Sequence, residues 1–190
     1  PVGPFQSMEA QIADVADDLT YHAHDVDDGL EAGLLTEKGL DSLDLWRLAR
    51  ERAHKEFETL PGPSALSMTI RSLLDLQVDD VLLHTSRMLG SFQPRSPGEV
   101  MCAPQRIVTF SPAMKAILDP FREYLFKNVY WHHSVERANN EAVQMMKGLF
   151  RHYLEHPDKM GEKAQARLPR DGIWRTACDY VSGMTDRYAI

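Results

Sequence analysis

The residues best suited to chemistry lie in one segment near the start of the chain, from Asp17 to Asp28. Asp17, Tyr21 and Asp25 are spaced four residues apart, so a helix places them in one stripe, which Asp28 continues. Aspartate is a poor helix former, so a helix with this many aspartates on one face gives up stability. Such a face either is solvated or meets a positive group or a sugar hydroxyl that needs an acceptor.

The length of this stripe limits what it can bind. At 1.5 Å per residue, Asp17 and Asp25 lie about 12 Å apart along the helix axis, which is too far for one metal ion. A ligand lying along the helix can reach both, with a charged group near Asp17, a hydroxyl near Asp25 and the Tyr21 ring between them. A nucleotide has this shape, and the alternative is a solvated acidic face.

A second set of residues repeats the same spacing later in the chain. Arg122, Phe126 and Tyr130 are also four residues apart, in a segment rich in basic and aromatic residues. The Arg122 guanidinium can bind a phosphate through two parallel hydrogen bonds. The alternative is an ordinary amphipathic helix with Phe126 and Tyr130 in the core.

The histidines give weaker signals. His24 lies about 10 Å from Asp17 along the helix axis, too far to share an ion, so we interpret His22 and His24 as structural or supporting residues. The segment from His152 to His156 fits the H-x-x-E-H pattern of some zinc peptidases. The predicted helix ends there at Pro157, and the helix dipole alone favours histidines at that position.

Composition restricts the class of protein. A chain of 190 residues forms one domain or most of one, and its net charge of −7 argues against a nonspecific nucleic-acid binder. A nucleotide substrate remains open, since a metal ion can neutralise its phosphates. Cys102 and Cys178 show no CxxC pattern and are predicted to be reduced, half-buried thiols of a cytoplasmic protein. We expect neither a membrane span nor a signal peptide.

Helix start and stop signals predict an all-α protein. The predicted helices run from Ser7 to about Gly29, from Asp41 or Ser42 to Phe57, from Ser64 to Leu89, from Ser134 to Pro157, and onward from about Asp171. Asp119-Pro120 is predicted to open or restart a helix that continues to Trp131. Residues 90–112 and 157–170 are predicted loops, with Ile107–Phe110 as a candidate short strand. The residues predicted to lie on the apolar faces of the first three helices are Ile12, Val15, Ala16, Leu19, Leu45, Leu48, Ala49, Ile70, Leu73, Leu74, Val78, Val81 and Leu82. The last two predicted helices run through Val143, Met146, Leu149, Phe150, Tyr153, Trp174, Tyr180, Val181 and Met184.

Three segments resemble the deoxyguanosinetriphosphate triphosphohydrolase-like family of the HD-domain superfamily. They are Ser7–Gly33, Phe121–Tyr130 and Asp179–Ala189. The resemblance implies a multi-helix, HD-domain-like bundle that uses Mg²⁺ or Mn²⁺. It also implies hydrolysis of a deoxynucleoside triphosphate to a deoxynucleoside and tripolyphosphate, by a homo-oligomer.

The resemblance also assigns roles to individual residues. Asp17 corresponds to the last metal ligand of the family, and Tyr21 and Asp25 correspond to its sugar-binding residues. Arg122 corresponds to a phosphate-binding residue, and Tyr130 to a tyrosine that contacts the base or the sugar.

One departure from the family pattern is as informative as the match. The family's other metal ligands, a His and a His-Asp pair, precede the segment that matches here, and the chain does not contain them. We therefore expect the C-terminal portion of such an enzyme, inactive by itself, in which residues 1–35 form the final helix of the HD domain. Residues 36–190 then pack on that helix, or the whole forms one compact domain. The alternative is a non-catalytic module for oligomerisation or nucleotide regulation.

Overall fold

The structure is a computed structural model that describes residues 3–57 and 62–189. Within these ranges the secondary structure is helical and contains no strand, which confirms the predicted all-α class. The chain divides into two compact units, residues 1–132 and residues 133–190. The predicted boundary at residue 35 remains a prediction.

The first unit is built from α-helices joined by short connections. They are α1 (Met8–Glu31), α2 (Glu37–Leu40), α3 (Asp44–Glu56), α4 (Gly62–Phe92), α5 (Pro97–Met101) and α6 (Pro112–Leu125), which runs directly into a π-helical turn (Phe126–Tyr130). Side-chain hydroxyls cap the starts of α1, α2, α5 and α6, because they accept hydrogen bonds from backbone N–H groups that the first turn leaves unpaired.

The core of the first unit lies where α4, the longest helix, contacts α1 and α3, and where α6 contacts both of them. Trp46, Leu45 and Leu73 are completely buried there, as is Phe121 of α6. Burial of such large apolar side chains contributes about 1.5–3 kcal/mol each. The core therefore fixes α6 against α1, which brings the two predicted sets of site residues together.

The buried side chain of Gln11 joins the segment before α6 to α1 by hydrogen bonds, and we call it a polar latch. The Gln11 side chain is fully buried, and its Oε1 accepts hydrogen bonds from the backbone N–H groups of Ile107 (3.1 Å) and Val108 (3.0 Å). Its Nε2 donates to the carbonyl of Gln6 at 2.8 Å. The Gln11 side chain thus supplies hydrogen-bond partners for two backbone N–H groups that a neighbouring strand would otherwise bind. Residues 107–110, the candidate short strand, do not form a strand in the structure.

A second latch fixes the beginning of α6. Asp80 of α4 accepts a hydrogen bond from the Ser111 N–H at 2.8 Å and another from its hydroxyl at 2.6 Å. Ser111 is in turn the N-cap residue of α6, and Pro112 follows at the first helical position. Asp119-Pro120 therefore neither opens nor restarts a helix, because Ser111-Pro112 offers the same cap signal earlier and Pro120 lies inside α6.

The second unit contains four α-helices and a short 3₁₀ turn within its described residues. They are α7 (His133–Glu155), the 3₁₀ turn (Pro157–Lys159), α8 (Glu162–Gln165), α9 (Leu168–Ser182) and α10 (Asp186–Ala189). The α9 helix contacts α7 and α8, and Thr176, Ala177 and Val181 are buried on it. Gly172 has a φ of +74°, so the regular part of α9 begins just after it, close to the predicted start at Asp171.

Several helix boundaries differ from prediction. The α4 helix begins at Gly62, two residues before the predicted cap Ser64, while the stop predicted at Pro61 lies outside the described residues. The predicted loops at residues 90–112 and 157–170 contain the short helices α5 and α8. The helix predicted to stop at Pro157 ends at Glu155 as expected.

The predicted core also needs correction, because the apolar stripes are wider than the faces that neighbouring helices cover. Val15, Leu19, Leu45, Ala49, Leu73 and Val81 are buried as predicted. The predicted apolar-face residues Ile12, Ala16, Leu48 and Leu82 are instead exposed. On the later helices Val181 is buried, whereas Val143, Met146 and Trp174 are exposed. Cys102 and Cys178 are free thiols and are exposed rather than half-buried.

Candidate functional site

The two predicted sets of site residues meet at one cavity of the first unit. It has a volume of about 320 Å³ and lies between α1 and the segment formed by α6 and the π turn. Its lining consists of Asp18, Tyr21, His22, Asp25, Arg122, Leu125, Phe126 and Tyr130. Tyr21, Asp25, Arg122 and Tyr130 were predicted from the sequence, and the structure brings them together.

One end of the cavity holds a hydroxyl–carboxylate pair. The Tyr130 hydroxyl donates a hydrogen bond to the Asp25 carboxylate. Burial and this hydrogen bond raise the pKa of Tyr130 well above its ordinary value, so Tyr130 stays protonated and continues to donate. A carboxylate offers about four acceptor sites, so Asp25 can accept a further hydrogen bond from a ligand hydroxyl.

The other end of the cavity carries the charged groups. Arg122 donates from Nη2 to the Asp18 carboxylate at 2.7 Å and from Nε to Nε2 of His22 at 2.9 Å. The guanidinium has five N–H donors, so most of them remain for an anionic ligand. The Arg122 side chain is about one-third exposed, which leaves it within reach of a ligand in the cavity.

His22 orients Arg122 by accepting a hydrogen bond from it. Gln77 of α4 donates from Nε2 to the Leu73 carbonyl at 2.9 Å, which fixes its amide so that Oε1 faces His22 at 2.7 Å from Nδ1. His22 therefore carries its proton on Nδ1, and its Nε2 accepts from Arg122. Burial lowers the pKa of the His22 imidazole, and the nearby charge of Arg122 lowers it further, so the neutral form is favoured.

The described residues do not by themselves form a metal site. Asp17, the predicted metal ligand, is exposed and does not line the cavity. Across residues 3–57 and 62–189, no three His, Cys, Asp or Glu side chains lie close enough together to hold one ion. Catalytic metal sites use three protein ligands, and a single carboxylate does not meet that requirement.

The H-x-x-E-H segment does not provide a metal site either. The rings of His152 and His156 lie 5.0 Å apart at the end of α7, where Glu155 is the last helical residue. A zinc ion needs at least one further ligand, and no suitable group of three occurs within the part of the chain that the structure describes.

The aromatic residues of the second set are exposed at the cavity rather than buried in the core. Phe126 is 46% exposed and Tyr130 is 40% exposed, so the alternative of an ordinary amphipathic helix is wrong for these positions. The π turn, closed by a hydrogen bond of 2.9 Å from the Trp131 N–H to the Phe126 carbonyl, presents both rings at the cavity. Such turns occur frequently at functional sites.

Sequence reasoning missed two residues of the site and assigned another only loosely. Asp18 pairs with Arg122, and Gln77 orients His22, yet neither position carries a spacing signal that links it to the other groups. His22 was predicted to be structural or supporting, and its position between Gln77 and Arg122 fits that description. His24, two residues later, is exposed.

Comparison with known proteins gives a consistent result. Residues 108–190 match the family model of the phosphohydrolase-associated domain. A deoxyguanosinetriphosphate triphosphohydrolase-like protein of Geobacter sulfurreducens is 35% identical over 188 residues, which cover 99% of this chain and 49% of the relative. Similar proteins of Deinococcus radiodurans (37% over 184 residues, 97% and 49%) and Bartonella henselae (36% over 189 residues, 98% and 47%) also match.

Within an all-α chain, residues 108–190 are therefore similar to the phosphohydrolase-associated domain. More specifically, the chain is similar to the deoxyguanosinetriphosphate triphosphohydrolase-like proteins over nearly its whole length, which confirms the resemblance of its three segments. The chain spans about half the length of the curated relatives it matches. None of the helices within residues 3–57 and 62–189 combines the length and apolar character needed to cross a bilayer.

Proposed function

We propose that this chain supplies the nucleotide-binding part of a deoxynucleoside triphosphate triphosphohydrolase, which releases a deoxynucleoside and tripolyphosphate. The observation that carries the proposal is the cavity itself, with the guanidinium of Arg122 at one end and the Asp25–Tyr130 pair at the other. The names of the similar proteins support the same reaction class.

The cavity offers a suitable partner for each part of a deoxynucleotide. The sugar 3′-hydroxyl donates to Asp25, beside the hydrogen bond from Tyr130. The Tyr21 ring, 53% exposed, lies against the deoxyribose and leaves little room for a 2′-hydroxyl. Asp18 and Asp25 lie about 10 Å apart along α1, a span that suits a nucleotide lying along the helix.

Arg122 binds the triphosphate in this proposal, in competition with Asp18. A phosphate accepts the bidentate, charge-assisted hydrogen bonds that a guanidinium offers. When it binds, the Asp18 carboxylate loses part of its contact with Arg122, while the bond from Nε to His22 keeps the guanidinium oriented. Arg122 then stabilises negative charge that develops on the leaving polyphosphate.

We also propose a requirement for Mg²⁺ or Mn²⁺, to which Asp17 contributes one carboxylate ligand. Asp17 alone does not hold such an ion. The chain therefore binds the nucleotide without hydrolysing it unless further ligands are supplied. A cytoplasmic location fits the free thiols of Cys102 and Cys178.

The test separates binding from hydrolysis. The purified chain is titrated with dGTP by calorimetry, and tripolyphosphate release is measured in the presence of Mn²⁺. We expect binding that Asp25→Asn and Arg122→Leu each weaken at least about tenfold, the effect of losing one strong hydrogen bond. We expect no release of tripolyphosphate.

The matched control is Asp27→Asn, which removes an exposed carboxylate of the same helix that does not line this cavity. Binding to this variant should equal that of the unmodified chain. Tripolyphosphate release at a rate that Asp17→Ala leaves unchanged would contradict the proposed metal role.

The second candidate is a non-catalytic module for oligomerisation or nucleotide regulation. The lack of a three-ligand group among the described residues favours it. Adding a polypeptide that carries the missing His and His-Asp ligands distinguishes the two functions. Restored hydrolysis supports the enzyme, and unchanged nucleotide binding without hydrolysis supports the module.

A further inference from the structure

An exposed aromatic cluster adjoins the cavity, and the proposed function gives a contact only to its tyrosine. It consists of Phe126, Tyr130 and Trp131, and we name it the aromatic platform. The ring centroids of Phe126 lie 5.1 Å from Tyr130 and 6.0 Å from Trp131, with interplanar angles of 35° and 38°. Trp131 is 67% exposed, so the face of its indole ring is open to a ligand.

The π turn creates this cluster. In an α-helix the fifth residue after Phe126 points about 140° away from it, because each residue turns the helix by about 100°. The wider π turn carries Trp131 back to the side of Phe126, and the bond from the Trp131 N–H to the Phe126 carbonyl closes that turn. Turns of this kind are rare and recur at functional sites.

The platform is continuous with the cavity. Phe126 and Tyr130 belong to both, so a ligand held at Asp25 has its next group directly beside the rings. The order of chemistry along the site is a cation at Arg122, a hydroxyl acceptor at Asp25 and then an aromatic surface. This order matches the phosphate, sugar and base of a nucleotide.

From this arrangement we infer that Trp131 and Phe126 form the binding surface for the nucleobase, which stacks on their exposed faces. The inference rests on the proposed function and extends it to base recognition. Stacking uses the π face that every base has, and the two stacking rings, Phe126 and Trp131, carry one polar group between them, the indole N–H, that could read a base edge. The site therefore tolerates purines and pyrimidines alike, with a modest preference for the larger purine ring.

The test compares ligands with and without a base. Dissociation constants for dGTP, dTTP and inorganic tripolyphosphate are measured by calorimetry on the chain and on its Trp131→Leu and Phe126→Leu variants. We expect each substitution to weaken the affinity for both nucleotides by about 5- to 150-fold, which is the range expected for the loss of one stacking contact. Tripolyphosphate binding should stay unchanged, and the dGTP and dTTP constants should agree within about tenfold.

Trp174 provides a matched control. It is 68% exposed, as Trp131 is, but it lies in the second unit, away from the platform residues in sequence. Trp174→Leu should leave all three constants unchanged, and circular dichroism should show that the variants melt as the unmodified chain does. Quenching of tryptophan fluorescence by dGTP should survive in Trp174→Leu and disappear in Trp131→Leu, because Trp46 is buried.

Four results would overturn the inference. Equal dGTP affinity in Trp131→Leu and the unmodified chain would exclude base stacking while leaving the proposed function in place. Equal losses of dGTP and tripolyphosphate affinity would indicate a structural effect of the substitution. Loss of self-association in Trp131→Leu with intact nucleotide affinity would identify the platform as a protein interface. Absence of any nucleotide binding by the unmodified chain would overturn the proposed function together with this inference.

Discussion

His22 is the residue on which the charged end of the site depends. Its Nδ1–H donates to Gln77, so its Nε2 can accept from Arg122 only while the ring is neutral. Protonation of Nε2 would remove the acceptor and place two positive charges side by side. The ring edge packs on Phe121 at a centroid distance of 6.3 Å, which further fixes its orientation.

This arrangement predicts a pH dependence of stability. Burial lowers the pKa of His22 and Arg122 lowers it further, while Gln77, Asp18 and Asp25 act in the opposite direction. Below a pH of about 6.5, the pKa of histidine in the unfolded chain, His22 takes up a proton in the unfolded chain but not in the folded one. The contribution of His22 is therefore complete above that pH and is lost as the pH falls, by at most about 1.4 kcal/mol per pH unit.

Urea unfolding between pH 7.5 and pH 5 measures this effect. The free energy of unfolding should fall more steeply for the unmodified chain than for His22→Asn, which cannot take up a proton. His24→Asn is the matched control, because His24 is exposed on the same helix, and its curve should follow the unmodified chain. Parallel curves for all three proteins would contradict the role of His22.

At the scale of the elements, two polar latches decide where α6 begins. Gln11 of α1 holds residues 107 and 108, and Asp80 of α4 holds Ser111, the cap of α6. Both side chains bind backbone groups across more than thirty residues of sequence, so local signals do not reveal them. They set the position of α6 and through it the position of Arg122.

The Gln11 latch leads to a stability prediction. Gln11→Leu keeps a similar side-chain volume but removes the acceptor for two backbone N–H groups. Each buried N–H group left without a partner costs about 1–3 kcal/mol. We expect the free energy of unfolding to fall by about 3 kcal/mol, measured by urea denaturation.

The control substitution is Asp14→Ala on the same helix. Asp14 forms an ion pair of 2.6 Å with Arg106, and its side chain is 54% exposed, so its loss should cost less than about 1 kcal/mol. Equal effects of Gln11→Leu and Asp14→Ala would show that the latch contributes no more than a surface contact.

At the scale of the whole molecule, an apolar groove remains uncovered between α1 and α4. It has a volume of about 480 Å³, and its walls include Ile12 and Leu82, which are 49% and 63% exposed. The buried hydroxyl of Thr85, which also lines the groove, has no hydrogen-bond partner in the described residues. Exposed apolar grooves of this kind mark interaction surfaces.

We expect the isolated chain to cover this groove by association with a second copy. Light scattering across a concentration series should show dimers or larger species, and Ile12→Glu should shift the population to monomer because it places a charge in the apolar groove. Leu48→Glu changes a leucine of similar exposure, 45%, outside the groove and should leave the population unchanged. A monomer at every concentration would contradict the prediction.

Local sequence signals determined the helical class of this protein and the spacing of its candidate site residues. Cap residues such as Ser7 and the i, i+4 spacing act within one or two helical turns, so the helical class and the Asp17–Tyr21–Asp25 stripe could be read directly. The spacing of Arg122 and Tyr130 could be recognised for the same reason, and their roles stay predictions from the family resemblance.

Only the tertiary structure decided which groups meet. The Tyr130–Asp25 hydrogen bond joins residues 105 apart, and His22 joins Gln77 and Arg122 across 55 and 100 residues. Such pairings depend on how helices pack, and apolar periodicity does not specify which part of a stripe a neighbour covers. Ile12 and Leu82 were therefore expected in the core and line an open groove, while the π turn turned Phe126 and Tyr130 outward to the cavity.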